Sequence, residues 1–364
     1  MKTDSLLNED WSSVVSRLGG ATALDVAARA ARAFVRPREI CSAVDLLRLI
    51  LAYCLGRRGL RATAAWAAAA RLVDVSNPAI LYRLRQCGDW LTLLIGQTLA
   101  ASVPARCEGR LIRLVDATTV AKSGPEARKH NRLWRIHAAF DLPIERFGGF
   151  ELTDEHGGER LDRLPVVKGE IRIGDRAYSQ PPRIAGVLDQ GGDIVVRTGW
   201  RNLRWLDALR KPVDLHTMLG EAGERVDRAI WIACKGRSPL ALRLIAVPKS
   251  DAAAEAARRA ARRQGRKSGY TPSRKTLDAA SWFILVTSLP AETSSTEDVL
   301  DLYRLRWRIE LAFKRLKSVI GLEKPPGVDE RSAKPWVLAH LLMILSLEPV
   351  VDGLEDSPHW AHAA

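Results

Sequence analysis

Hydrophobic and polar positions divide the 364-residue chain into stretches of different period. Residues 1–105 are rich in Ala and Leu, carry arginine-bearing faces and show no strand-like alternation, which predicts a separate helical module. Within it Arg61–Leu72 reads as one helix, Val73–Ser76 as a short connection with Ser76 as cap, and Asn77–Cys87 as a second helix bearing Arg83 and Arg85. Two helices joined in this way are compatible with a DNA-binding helix-turn-helix. The alternative is an Ala-rich bundle with solvated arginines, because the glycine common in such turns is missing.

From Arg110 the period becomes that of strands. Arg110–Asp116, Trp134–Asp141 and Arg146–Leu152 lie close enough together for an antiparallel meander. Glu170–Gly174 predicts a further strand ending at Asp175, followed by a helix over Pro182–Gln190 and a strand over Asp193–Arg197. In the run DLYRLRWRIELAFKRLK, Tyr303, Arg306, Glu310 and Lys317 fall within an arc of about 60° on one continuous helix. Leu305, Ile309, Phe313, Leu316 and Ile320 recur on the adjacent arc, and Thr296 is the expected N-cap. Asp175 and Glu310 stand 135 positions apart, too far for one strand and one helix. Residues 200–280 fill that gap with strand-like pieces at Ala229–Cys234 and Leu240–Val247. By itself the pattern predicts a mixed α/β chain.

Charge narrows the partners. Lys and Arg outnumber Asp and Glu by 56 to 42, a net +14, so a polyanion such as nucleic acid is favoured over an acidic protein or a neutral metabolite. The cations cluster in Arg258, Arg259, Arg262, Arg263, Arg266 and Lys267, and in Arg201, Arg204, Arg210 and Lys211 interleaved with Trp200 and Trp205. Such contacts would position DNA rather than read it. Five cysteines, Cys41, Cys54, Cys87, Cys107 and Cys234, form no C-x-x-C pair and read as small core hydrophobes. Asp4, Glu9 and Asp10 interrupt any secretory signal, and the apolar run Val337–Val351 is too short to span a bilayer. A cytoplasmic protein acting at the bacterial nucleoid, without a membrane partner, is expected.

Asp116 and Asp175, each read as closing a buried strand, could meet Glu310 at one sheet edge. Asp116 in VDATTV, Asp175 in GDRAY and the spacing Y-x-x-R-x-x-x-E-x-x-x-x-x-x-K together resemble the DDE transposases, more narrowly insertion-sequence family four, and the resemblance covers nearly the whole chain. It implies a ribonuclease H-like core over 106–199 and 282–364, a mainly β insertion over 200–281, and a helical DNA-binding domain over 1–105. Asp116, Asp175 and Glu310 would be the catalytic, metal-binding triad. Tyr303, Arg306 and Lys317, with Arg176 beside Asp175, would grip DNA phosphate. Trp282 would stack on a flipped nucleotide, with the start of a buried strand as its alternative role.

Carboxylates on separate elements suit a site that holds two divalent cations about 3.5–4 Å apart for in-line phosphoryl displacement. Oxygen donors without clustered Cys or His favour Mg²⁺, with Mn²⁺ as a substitute. Asp141, Glu151, Asp154, Glu155 and Glu170 read as structural or solvated acids. The partner implied is double-stranded DNA, the terminal inverted repeats of an element and its target, bound by a homodimer. A nuclease or resolvase that never joins DNA, and a catalytically inactive DNA-binding regulator, are the alternatives.

Overall fold

The computed structural model describes residues 7, 10–101, 109–123, 132–142, 146–318, 321–322, 324–326 and 329–351. The N-terminal helices are α1 (Trp11–Arg17), α2 (Gly20–Ala30), α3 (Ala43–Leu55), α4 (Leu60–Ala69), α5 (Asn77–Gln86) and α6 (Gly88–Ala101). Ser42 caps α3 by accepting the Asp45 N–H at 3.0 Å, and Ser76 caps α5 by accepting that of Ala79 at 3.4 Å. Helix α3 is apolar almost all round and buries ten of its 13 residues, as a helix at the centre of a bundle must.

What surrounds α3 corrects the expectation of a separate module. The last helix, α13 (Glu330–Val351), packs on α6, α5 and α3. Its buried residues join those of the N-terminal helices and the strands below in one hydrophobic core. Among the described residues no helix is long and apolar enough to cross a membrane. Cys54, Cys87 and Cys234 are buried as expected, whereas Cys41 is exposed before the cap of α3 and Cys107 lies outside the described residues.

Among the described residues nine strands form one sheet in the order β3-β2-β1-β4-β5-β9-β8-β7-β6. They are β1 (Ile112–Ala121), β2 (Leu133–Leu142), β3 (Arg146–Asp154), β4 (Ile171–Gly174), β5 (Asp193–Arg197), β6 (Trp205–Leu206), β7 (Val226–Ile232), β8 (Leu240–Pro248) and β9 (Trp282–Thr287). β1, β2 and β3 are the expected antiparallel meander, β4 and β5 add to β1 in parallel, and β9 returns antiparallel to β5. Helix α7 (Pro181–Asp189) makes the β4–β5 crossover and buries Ile184, Ala185 and Val187.

The insertion differs from a mainly β unit. Its strands β6, β7 and β8 share residues 200–281 with helices α8 (Leu215–Ala222), α9 (Asp251–Lys267) and α10 (Arg274–Ala279). They also prolong the central sheet, since β9 pairs with β5 on one side and β8 on the other. The basic run Arg258–Lys267 is the second half of α9, capped by Ser250.

Two further corrections concern the site. Asp116 lies in the middle of β1, because pairing with β2 continues to Ala121. Tyr303 and Glu310 lie on different helices, α11 (Thr296–Arg304) and α12 (Trp307–Ser318). The Arg306 N–H bonds to Tyr303 O at 3.0 Å and that of Arg308 to Leu305 O at 3.0 Å, so three-residue turns replace the α pattern and break the phase of the predicted stripe. The cap of α11 is Ser295, not Thr296, with Asp298 completing a capping box. Ile309, Phe313 and Leu316 are buried as the apolar arc requires, Leu305 is half-buried, and Ile320 lies outside the described residues.

Candidate active site

Parallel pairing of β1 and β4 sets Leu114 opposite Ile173. Continued for two residues, that register brings Asp116 level with Asp175. Here β4 has ended, so β1 keeps β2 as its neighbour and its other edge opens. Asp175 caps a short 3₁₀ turn, Arg176–Tyr178, its Oδ1 accepting the Ala177 N–H at 2.7 Å, while Asp116 Oδ1 accepts the N–H of Ala117 at 2.8 Å.

The acids crowd one another. Burial pushes the Asp116 carboxyl up to about 6, and Asp175 and Glu159 add to the rise against the opposing pull of the Ala117 N–H and Arg306. Glu159 is itself raised, by burial and then by Asp175. Tyr178 is buried and lines a small pocket with Asp116, and its phenol is pushed up by burial and then by the charges of Asp116, Glu159 and Asp175. Sequence reasoning missed Glu159. It sits in a loop with no periodic signal, held when its carbonyl accepts Gln180 Nε2 at 2.8 Å and Gly157 O accepts Arg135 Nη1 at 2.8 Å.

Glu310 approaches from α12. Its Oε1 accepts Arg306 Nη2 at 2.6 Å, and Arg306 Nη1 stands 3.8 Å from Asp116 Oδ2. Asp116, Thr118, Glu310, Lys314 and Lys317 line one cleft of about 550 Å³, so two triad acids and the predicted lysine share a wall. Tyr303 is buried instead, edge-on to Phe283 at 5.3 Å between ring centres. Among the described residues no three acids, histidines or cysteines are gathered closely enough to hold a metal ion. The chemistry of the donor set nevertheless suits a hard divalent cation: Asp116, Asp175 and Glu159 offer oxygens whose mutual repulsion a cation would relieve, and Glu310, 55% exposed, shares a cleft with Asp116.

The remaining predicted residues divide. Arg176 and Trp282 line a second cleft beside the acids, and Trp282 also begins β9 opposite Pro248. On α9, Arg258 bonds Ser281 Oγ at 2.7 Å and Glu255 at 3.5 Å, Arg262 meets Glu255 at 3.4 Å, and Arg259 and Arg263 are exposed. On α5, Arg83 is half-buried, while Arg85 is held by Asp329 at 2.9 Å and Ser332 Oγ at 3.1 Å at the start of α13. That internal pairing gives Arg85 a structural partner that sequence reasoning did not foresee.

The family described as Transposase DDE domain matches residues 108–346, a span that contains all three acids. The chain is 37% identical over 360 residues to the putative transposase InsL for insertion sequence element IS186A of Escherichia coli (strain K12), covering 96% of each chain. It is likewise 37% identical over 361 residues to the transposase for insertion sequence element IS421 of Escherichia coli, again with 96% of each covered. With the acids, the sheet that carries them and full-length similarity in agreement, the chain belongs to the DDE transposase family.

Proposed function

We propose that this protein is a cut-and-paste transposase of insertion-sequence family four, built on a ribonuclease H-like core, that excises and inserts its own element. The observation that supports this reading is the register of β1 on β4, which continued by two residues brings Asp116 level with Asp175, together with the cleft that Asp116 shares with Glu310 of α12. The strand order β3-β2-β1-β4-β5, with β2 antiparallel to β1 and β4 and β5 parallel to it, supports the fold.

Asp116, Asp175 and Glu310 would hold two Mg²⁺ ions, or Mn²⁺ in their place, which when bound activate an attacking oxygen and stabilise the leaving one. The chain's own residues orient the DNA. Lys317 and Arg306 supply a point charge and a fork for phosphate oxygens on the same wall as Glu310. The exposed Arg259 and Arg263 add contacts to the backbone. Trp282 receives a flipped base, which offsets the cost of sharply bending the strand.

Four displacements at phosphorus follow. Water cuts one strand at the element end and frees a 3′-OH. That hydroxyl attacks the opposite strand, closing a hairpin and releasing flanking DNA. After water opens the hairpin, the 3′-OH attacks target DNA. The two attacks by the 3′-OH exchange one phosphodiester bond for another, and the two by water split one into a terminal phosphate and a hydroxyl, so no covalent protein intermediate is needed. The terminal inverted repeats, paired by a homodimer in the bacterial cytoplasm at the nucleoid, are the substrate.

The test is a denaturing-gel cleavage assay in Mg²⁺ on DNA bordering this gene, with Glu310→Ala as control. Hairpin-ended product from the parent alone is expected. Nicks that never become hairpins would replace this reading with that of a nuclease, and uncut, bound DNA with both proteins would indicate a DNA-binding regulator.

A further inference from the structure

Strand β1 runs on from Asp116 to Ala121 with β2 paired beside it, although β4 has ended at Gly174. Side chains alternate along a strand, so Thr118 stands on the same face as Asp116, about 7 Å further on. Thr118 lines the cleft of about 550 Å³ with Asp116, Glu310, Phe313, Lys314 and Lys317. Glu310, Lys314 and Lys317 follow one another at intervals of four and three residues and so share one face of α12. The cleft therefore has acids from two elements and a pair of lysines, with one neutral hydroxyl among them.

That hydroxyl is unused within the chain. Thr118 is half-buried, and its Oγ1 has no hydrogen-bond partner among the described residues. By contrast Thr63, Thr92 and Thr287 bond their hydroxyls to the carbonyls of Gly59, Gly88 and Ile194 at 3.1, 3.0 and 2.7 Å. Opposite Thr118 on β2 stands Ile136, apolar and fully buried, so packing in the strand would accept valine as readily as threonine. The local charge favours the hydroxyl. Asp116 and Glu310 already draw Arg306, at 3.8 and 2.6 Å, and a cation at position 118 would be drawn in the same way. A hydroxyl carries no charge, so it escapes that pairing and keeps its donor for a phosphate oxygen that the lysines attract.

We propose that Thr118 donates this hydrogen bond to a non-bridging oxygen of the phosphate next to the one being cut, and so fixes which phosphodiester lies over Asp116 and Glu310. Two residues of strand reach about as far as one phosphate of a DNA strand lies from the next. The inference rests on the transposase reading and adds to it a neutral contact that sets the position of the cut. It is a contact to backbone, so it selects register and leaves base sequence unread.

The probe is the intact duplex bordering this gene, carrying a methylphosphonate in turn at the phosphate of the element boundary and at each neighbour. Affinity is measured in Ca²⁺, and the position of nicks in Mg²⁺. Thr118→Val keeps the branched shape that suits the strand and removes only the hydroxyl. It should bind unmodified DNA about tenfold more weakly than the parent, and a methylphosphonate at one neighbour should then cost it markedly less than it costs the parent. Its nicks should spread to the adjoining phosphodiester. Thr118→Ser should match the parent in all three respects. Methylphosphonates that cost Thr118→Val as much as the parent at every position would overturn the proposal, as would a defect that Thr118→Ser shares. A parent that never cuts in Mg²⁺ yet shows the coupling would defeat the transposase reading and leave the contact standing. A parent that cuts and forms hairpins without the coupling would defeat the contact alone, and a parent that binds none of these duplexes would defeat both.

Discussion

Arg306 reaches the Glu310 carboxylate at 2.6 Å across the junction of two helices, and the same guanidinium lies 3.8 Å from Asp116. One cation is thus shared by acids from a strand and a helix that meet in the tertiary fold. Any divalent ion that recruits Glu310 must compete with it. Arg306→Ala should therefore lower the Mg²⁺ concentration that gives half-maximal cleavage, while reducing the maximal single-turnover rate by about a hundredfold through the lost phosphate contact. Arg306→Lys should recover part of that rate, since a point charge cannot fork. A rise in the half-saturating Mg²⁺ for Arg306→Ala would show that the arginine assists the ion instead of competing with it.

Asp116 makes a stability prediction of definite sign. Its folded value of about 6 lies above the ordinary 3.8, so the fold holds the protonated form more tightly than the unfolded chain does. The contribution is full below about pH 4 and is lost as pH rises through 6, on the order of 3 kcal/mol for a shift of about two units. Asp116→Asn, which keeps an acceptor for the Ala117 N–H, should raise the metal-free melting temperature at pH 8, leave it unchanged near pH 4, and abolish cleavage. Calorimetry in chelator at both pH values checks this.

His340 carries the opposite sign. Buried in α13, its Nδ1 donates to Trp336 O at 2.8 Å, and burial holds the ring down to about 4 against an ordinary 6.5. Stability from the neutral ring is complete above pH 6.5 and is lost as pH falls from there through 4, roughly 3 kcal/mol in all. Replacement by Asn should flatten this dependence. The quantity to read is the difference between variant and parent in urea at pH 7.5 and pH 4.5, because Asp116 contributes with opposite slope across part of the same range. An unchanged difference would place His340 outside the acid response.

Beneath the site, Arg113 grips Asp141 through two bonds of 2.6 and 2.9 Å and meets Glu170 at 3.2 Å, all three side chains buried. Asp141→Ala leaves the guanidinium short of a partner and should cost about 3–5 kcal/mol. Gly148 lies against the same carboxylate, where a Cβ would come within 2.2 Å of Asp141 Oδ2. Gly148→Ala should therefore destabilise the parent and cost markedly less when Asp141 is already Ala. A double-mutant cycle in urea measures that coupling, and additive effects would remove Asp141 as the cause.

Local signals were legible along the chain, because period, capping and turns are decided by neighbours a few residues apart. The β1–β3 meander, Asp175 after its short strand, Ser76 as cap and the helix that bears Glu310 were all readable in this way. The DDE spacing was equally plain. The tertiary structure decided what long-range packing controls. β1 runs past Asp116 because β2 remains beside it after β4 has ended. Arg85 turns to Asp329, 244 positions away, since α13 lies against α5. Glu159 joins the acids from a loop without periodicity, and the helix breaks at Leu305–Arg306 with neither Pro nor Gly to announce it. Sequence alone thus determined which residue types are present and which local elements carry them. Register, burial and the choice of ion-pair partner came from packing between distant segments, whose energies exceed the small local preferences that a sequence displays.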